Sequence, residues 1–338
     1  MEKNKTLLWL LFLASFLLFE AGLYAQGVNY AGTSASNFLK IGLGAKSVAL
    51  AESDLTSAED ASSLYLNPGV LSRLEKSSAT FSYVQWLVQS NLSYLAVTLP
   101  TEYGSVGLDI AYFGSGDIKE TTLLRQEGTG RVITASDLSI GFAYAKNLTD
   151  RFSVGLKVRY LSENLASVSA STFAFDIGSV FETSFLNNLK IGITLSNFGG
   201  SMQFEGNDLI VTQVVPGSST NKQIPATLQT NSWNLPLLFR IGVSTTAFDF
   251  DNYNLSLHYM VVDSRDYDVR HNIGASFKIF DVVTLRGGYR LNYDESTFSA
   301  GIGFKAKTDF MGDVMIDYAY TDFGRLNGIN QFTLSLNF

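Results

Sequence analysis

Cysteine is absent from the 338-residue chain, so a disulfide framework, a thiol nucleophile and a thiolate metal site are all excluded. Charge is scarce at 16% of residues, against about 25% in soluble domains. Proline occurs five times and histidine twice. With two histidines no metal-binding His pair forms, and neither a Gly-x-Ser-x-Gly elbow nor a phosphate loop is present. The reading is therefore of a chain with no catalytic residues, no metal and no cofactor, and not of an enzyme. The net charge of −7 also argues against nucleic acid as a partner, because phosphate binding needs a basic face. Beyond the first 25 residues there is no apolar run long enough to cross a bilayer as a helix.

Glycine (29), tyrosine (16) and phenylalanine (25) are plentiful instead. The N-terminus has a short basic start at Lys3 and Lys5, an apolar run from Leu7 to Leu18, and a small-residue exit at Leu23-Tyr24-Ala25. Residues 1–25 thus read as a cleaved secretory signal, a membrane anchor being the alternative that the short run disfavours.

From Ser77 onward, segments of near ten residues alternate apolar and polar and are separated by turn residues. Phe152, Val154, Leu156, Val158 and Tyr160 alternate with Ser153, Gly155, Lys157 and Arg159; at the end of the chain Phe332, Leu334, Leu336 and Phe338 alternate with Thr333, Ser335 and Asn337. A period of two puts each set on its own face of a strand. Fourteen such segments are predicted, near 77–87, 91–100, 104–113, 136–147, 151–163, 170–184, 188–198, 235–247, 252–263, 268–280, 283–293, 296–307, 311–321 and 328–338. An even number of strands with apolar outer faces is the pattern of a transmembrane antiparallel β-barrel, here over residues 77–338, with outer-membrane lipid around it. A soluble sandwich or lipocalin-like barrel explains the alternation but not an apolar outer face throughout. If both barrel ends face the periplasm, the long gaps Gly114–Ala135 and Gly199–Asn234 fall on the extracellular side.

Residues 26–76 lack the alternation and predict short helical turns near Ala45–Ala51 and Ala58–Tyr65, the second ended by Pro68. Some 50 residues are too few for a core of their own, so this segment is expected to lie in the barrel mouth as a hatch.

Two stretches, Gly42-Leu43-Gly44-Ala45-Lys46-Ser47-Val48-Ala49-Leu50-Ala51-Glu52 and Glu59-Asp60-Ala61-Ser62-Ser63-Leu64-Tyr65-Leu66-Asn67-Pro68-Gly69-Val70-Leu71, resemble the N-terminal block of the PorV/PorQ family of outer-membrane proteins. That family is itself similar to the FadL-type fatty-acid channels. Its hatch motif maps to Asn67, Pro68 and Gly69, with Gly69 where Ala is usual. The resemblance implies a fourteen-stranded outer-membrane barrel associated with type IX secretion. Its implied partners are translocon components or the C-terminal signal domains of secreted proteins. The alternative is a FadL-like channel for hydrophobic small molecules.

Lumen-facing parity gathers a basic set that includes Lys157, Arg159, Arg240, Arg286 and Arg290. It can attract anions, or pair with hatch carboxylates Glu52, Asp54, Glu59, Asp60 and Glu75, which the cost of unpaired buried charge favours. The loop Asp263–Asp268 has too few carboxylates for calcium and reads as a solvated turn. The longest gap carries apolar residues, among them Phe204, Ile210, Val214 and Trp233, that predict a lid over the mouth, a partner-binding face, or both.

Overall fold

The computed structural model describes residues 31–214, 223–308 and 312–338; the expected signal at 1–25 lies outside the described residues. Fourteen strands form one closed antiparallel barrel. They are β1 Ser78–Gln85, β2 Asn91–Thr101, β3 Gly104–Gly114, β4 Ala135–Thr149, β5 Phe152–Leu165, β6 Val168–Glu182, β7 Lys190–Gly199, β8 Leu238–Phe250, β9 Tyr253–Ser264, β10 Arg270–Ile279, β11 Val283–Leu291, β12 Phe298–Thr308, β13 Gly312–Asp322 and β14 Gly328–Asn337. Each strand pairs with its sequence neighbours, and β14 closes the ring on β1 with Ser78 opposite Asn337 and Tyr83 opposite Phe332. Closure leaves no unpaired edge, which is what a sheet in lipid requires. Among the described residues no helix is long and apolar enough to cross a membrane, which says nothing about crossing by strands.

Along β1, Phe81 and Tyr83 are exposed while Ser78, Thr80 and Ser82 are buried; β5 and β14 repeat the pattern. The exposed face is therefore the apolar one, the reverse of a water-soluble sheet. Outward aromatics gather near the ends, as at the Phe248–Phe250 and Tyr253–Phe277 stacks beside the short turns, where such rings suit a lipid–water boundary.

Apart from the two-residue β5–β6 turn and the seven-residue β6–β7 connection, the connections alternate in length. Short turns join even to odd strands, such as Asp150–Arg151 between β4 and β5. The two long connections, 115–134 and 200–237, share the opposite end. Neither is irregular throughout. The first builds a small ladder, Ile118–Lys119 on Val132–Ile133. The second extends β6 through Glu205–Gly206 and then folds Ile210–Val214 onto Gln223–Thr227.

Residues 34–76 thread the barrel from the long-loop end to the short-turn end. At the first, Ser34 and Lys40 bind Asp266 at 2.5 and 2.6 Å, and the Ala35 N–H donates to the Asn234 carbonyl. Midway, the Ala45 N–H donates to Thr333 Oγ1 at 2.8 Å, and nearer the short-turn end the Ala61 N–H donates to Ser78 Oγ at 2.9 Å. At the far end Arg73 donates to the Asp150 carbonyl and Lys76 pairs with Asp313. Helical structure here is one short helix, α1 Ala45–Ala49, and 3-10 turns at Asn37–Lys40, Ala61–Tyr65 and Pro68–Arg73. Pro68 thus does not merely end a helix. It begins the next turn at its first position, where its missing N–H costs nothing, and Asn67 caps that turn by accepting from the Gly69 N–H.

Candidate functional site

Inward-facing small residues shape the lumen to the chain inside it. Gly155 lies opposite Gly178, Gly192 opposite Gly242, and Gly274 opposite Gly288. A Cβ at Gly155 or Gly178 would strike Asn67, Pro68 or Gly69; at Gly242, Leu55; at Gly274 or Gly288, the backbone of Leu50–Ala51. Asn67 itself is fully buried. It donates to the Leu55 and Ser179 carbonyls at 3.0 and 3.2 Å besides capping Gly69. The Asn67-Pro68-Gly69 turn is therefore the point at which the threaded chain docks on β5 and β6.

Above this belt, toward the long loops, Phe38, Leu39, Ile41, Leu55 and Leu66 pack with wall residues Val84, Leu92, Leu161, Met260 and Ile329 in one apolar cluster. Its outer cover is the second long connection. Met202 is buried, exchanges two backbone hydrogen bonds with Trp233 at 2.8 and 2.9 Å, and accepts from Ser36 Oγ, while Phe204 packs on the cluster. Ile210, Ile224, Leu228 and Trp233 face outward. Val214 closes the loop's ladder opposite Gln223. The base of this connection is thus a lid, and its far part presents apolar residues to solvent.

The basic residues do not form one patch. Lys157 is bound by Asp109 of the wall, with Tyr94 also reaching that carboxylate, and Arg159 by Asp176 at 2.7 Å and by Asn197. Arg286 pairs with Asp317 at 2.5 Å and more loosely with Glu59, and Arg290 with Glu52 at 3.4 Å and Ser299 at 2.9 Å. The expectation that threaded-segment carboxylates neutralise the wall is corrected here: among the described residues only Glu52 and Glu59 do so. Asp54 accepts from Ser47, Asp60 caps its own turn and faces Lys46 of the same segment, and Glu75 has no ion pair among the described residues. Arg159 and Asp176 lie on adjacent strands, whereas Lys157–Asp109 and Arg286–Asp317 each reach across an intervening strand over the glycines Gly141 and Gly303. The Arg159–Asp176–Asn197 group also fills the bulge where the β6–β7 ladder slips between Phe175 and Ile177.

The 263–268 connection is solvated at Asp263, Arg265 and Asp268, as expected, but not at Asp266. Asp266 is buried and holds Ser34 and Lys40. It borders a cavity of about 330 Å³ at the long-loop end, walled by Leu238 and Arg240 of β8, Met260 and Val262 of β9, and Arg270 and Asn272 of β10. Tyr267 and Tyr293 stack on Arg270 at 3.6 and 4.3 Å. Burial pushes the Tyr293 phenol up to about 12 and that of Tyr267 upward as well, so both rings are neutral. Arg240 donates to Ser196 Oγ at 3.3 Å and has no ion pair among the described residues.

One outer feature was invisible to pattern reading. In the first long connection, Thr122 and Arg125 bond each other's backbones around a turn whose Leu123 and Leu124 are 94% and 97% exposed. Arg131 ties this hairpin to the second connection through Asp208 at 3.6 Å. Two adjacent leucines in a turn give no periodic signal.

His258 faces the lumen, and both ring nitrogens are buried without a hydrogen-bond partner; no nucleophile–base pair involves it. His271 lies on the outward face against Tyr259. Among the described residues no three His, Asp or Glu side chains cluster as a metal site.

These features define a plugged fourteen-stranded barrel of the transmembrane class. Residues 25–216 match the family described as Type IX secretion system protein PorV, and the chain belongs to that family. No curated protein matches it by sequence. Similar solved structures include the CymD monoaromatic hydrocarbon channel, with TM-score 0.55 and 14% identity over 88% of this chain and 96% of that one. A Pseudomonas aeruginosa FadL homologue has TM-score 0.54 and 12% identity over 88% and 98%. The Pseudomonas putida toluene transporter TodX has TM-score 0.56 and 10% identity over 92% and 99%. At such identities the likeness is one of fold. Family and fold are those of an outer-membrane barrel and secretion component, not of an enzyme class.

Proposed function

We propose that the barrel sits in the outer membrane, with its long-loop end outward, and serves type IX secretion as a binding component. Residues 26–76 act as a hatch that keeps the lumen shut. The outer connections hold a translocon component or the C-terminal signal domain of a secreted protein.

The observation that carries this reading is the tip at Leu123-Leu124. A solvated hairpin gains nothing from two fully exposed leucines, whereas burial of one such side chain against a partner contributes about 1.5–3 kcal/mol. Ile210, Ile224 and Leu228 of the second connection are exposed as well, and the Arg131–Asp208 pair at 3.6 Å joins the two connections. The FadL-like channel reading needs a path through the wall or down the lumen. It draws less support, because residues 38–74 pack against inward-facing glycines and the β6–β7 bulge is filled by Arg159 and Asp176.

The test is affinity recovery from detergent-solubilised outer membranes, comparing the intact protein, Leu123→Asp/Leu124→Asp, and a variant lacking 199–234. The intact protein is expected to bring down a translocon component or a secreted signal domain, and the leucine variant to lose it while remaining a folded barrel. Recovery of neither from the intact protein sinks the proposal.

A further inference from the structure

The second long connection carries a two-stranded ladder that belongs to no larger sheet. Ile210–Val214 pairs with Gln223–Thr227 and, among the described residues, with no other strand. Each strand therefore has one edge turned away from its partner. In an antiparallel pair, opposed residues alternate between those that exchange hydrogen bonds across the ladder and those whose N–H and C=O point away from it. The phase is set at the ladder's root, where the Leu228 N–H donates to the Leu209 carbonyl at 2.8 Å. That pair stands one position before Ile210 and Thr227, so Val211 with Ala226 and Gln213 with Ile224 bond inward. Ile210, Thr212 and Val214 on one strand turn their backbone groups outward, as do Gln223, Pro225 and Thr227 on the other.

The two edges differ. At the centre of Gln223–Thr227 stands Pro225, which has no N–H, and a proline in that place blunts an edge against strand addition. Thr212, directly opposite it, keeps both N–H and C=O. The Ile210 N–H donates to the Asn207 carbonyl, which closes that end of the edge. The Ile210 carbonyl and the N–H and C=O of Thr212 have no backbone partner among the described residues. Ile210, Thr212 and Gln213 are exposed, so the edge is reachable from solvent. An exposed edge with free donors and acceptors is a template for another chain, and folded proteins blunt such edges where they are not used. Here the Gln223–Thr227 edge is blunted and the Ile210–Val214 edge is left open.

We propose that Ile210–Val214 is a docking edge for an extended segment of a partner polypeptide, which adds to the ladder as a third strand. The added strand exchanges hydrogen bonds with the Thr212 backbone and donates to the Ile210 carbonyl. Its alternate side chains lie beside Ile210 and Thr212 on one face and beside Val211 and Gln213 on the other. Neither a lipid nor a sugar has a row of peptide groups at strand spacing to match this edge. A second copy pairing edge to edge is disfavoured by the chain's net charge of −7. The edge gives the partner-binding reading its mode of contact and rests on that reading, while being separate from the Leu123–Leu124 tip.

The experiment uses the mature protein in lipid nanodiscs and the end-capped, fluorescein-labelled peptide Lys-Thr-Val-Thr-Val-Thr-Lys, followed by fluorescence anisotropy. The peptide is expected to bind saturably, and its analogue N-methylated at every valine and threonine at least tenfold more weakly. Hydrogen exchange at the Thr212 amide is expected to slow at least tenfold when the peptide is added. Thr212→Pro removes the outward N–H without removing a ladder bond, and should weaken binding at least tenfold. Thr212→Val keeps the amide and should bind like the parent. Because the proline can unzip the ladder, continued protection of the Val211 and Gln213 amides is the check that it has not. The exchange measurement on the parent reads the edge without any variant. No saturable binding, equal binding of the methylated analogue, unchanged exchange at Thr212, or unimpaired binding to Thr212→Pro with its ladder intact would each overturn the proposal. So would dimerisation of the parent that Thr212→Pro abolishes, which would assign the edge to a second copy. The Leu123→Asp/Leu124→Asp variant keeps this edge and should bind the peptide normally while losing the partner in affinity recovery, so failure here and failure of the partner reading are told apart.

Discussion

Gly155 and Gly178 face one another across the β5–β6 ladder, and the space left by their missing side chains is occupied by Asn67 and Pro68. A wall residue of any size at these points would push the threaded chain out of its seat. Gly178→Val is expected to destabilise the barrel by about 1–3 kcal/mol through overpacking and to open residues 61–74 to protease. Thermal unfolding followed by gel migration, with limited proteolysis from the short-turn end, measures both. Unchanged protection would mean that the seat is not tight.

Asn67 joins three backbone groups from two parts of the molecule. Asn67→Ala removes a cap and leaves the Leu55 carbonyl without this donor in a buried setting. The expected loss is about 1–3 kcal/mol. Pro68→Ala, which removes no hydrogen bond, should cost less than 1 kcal/mol, a rough figure for relaxing the unfolded chain. The ordering of the two variants in denaturant midpoint is the check.

Lys157 and Asp109 form an ion pair in a wall position that is almost fully buried. Removing one partner strands the other, at an expected cost of about 3–5 kcal/mol, while an apolar pair of similar volume is far better tolerated. Lys157→Met should therefore unfold well before the parent, and Lys157→Met/Asp109→Leu should recover most of the difference. A double variant no better than the single one would contradict this account.

Strand number, facing and the position of the long connections were all legible, because lipid outside and small or polar groups inside impose a period of two on every strand, as in Phe81/Ser82 and Leu334/Thr333. The small, polar wall positions Gly155, Ser153 and Lys157 were legible too, but only as parity. Which cation meets which carboxylate was not: Lys157–Asp109 joins residues 48 apart in sequence, and Arg159–Asp176 depends on a bulge that no local pattern announces. Asp266 read as a solvated turn residue because nothing nearby in sequence pairs with it; its partners Ser34 and Lys40 are more than 220 positions away. Arg240 likewise entered as one basic residue among several, since its lack of a counter-charge is a property of the assembled barrel. Non-local pairing is where sequence parity stops.

Acid should act first on the threaded segment. Burial raises the Glu59 carboxyl, but Lys46, Lys278 and Arg286 outweigh it and lower the group from 4.5 to about 2. A depressed carboxyl contributes stability that is fully present above its unfolded value, and this is lost as pH falls through the folded one. The window is therefore about pH 4.5 down to 2. Glu59 is partly exposed to the lumen, so salt should weaken the effect. Glu59→Gln is expected to be less stable than the parent at pH 7 and to show a flatter acid limb, the two curves converging near pH 2. Proteolytic release of residues 31–76 as a function of pH, at low and high salt, measures it. A parent and variant with parallel curves across that window would show that Glu59 does not hold the segment to Arg286.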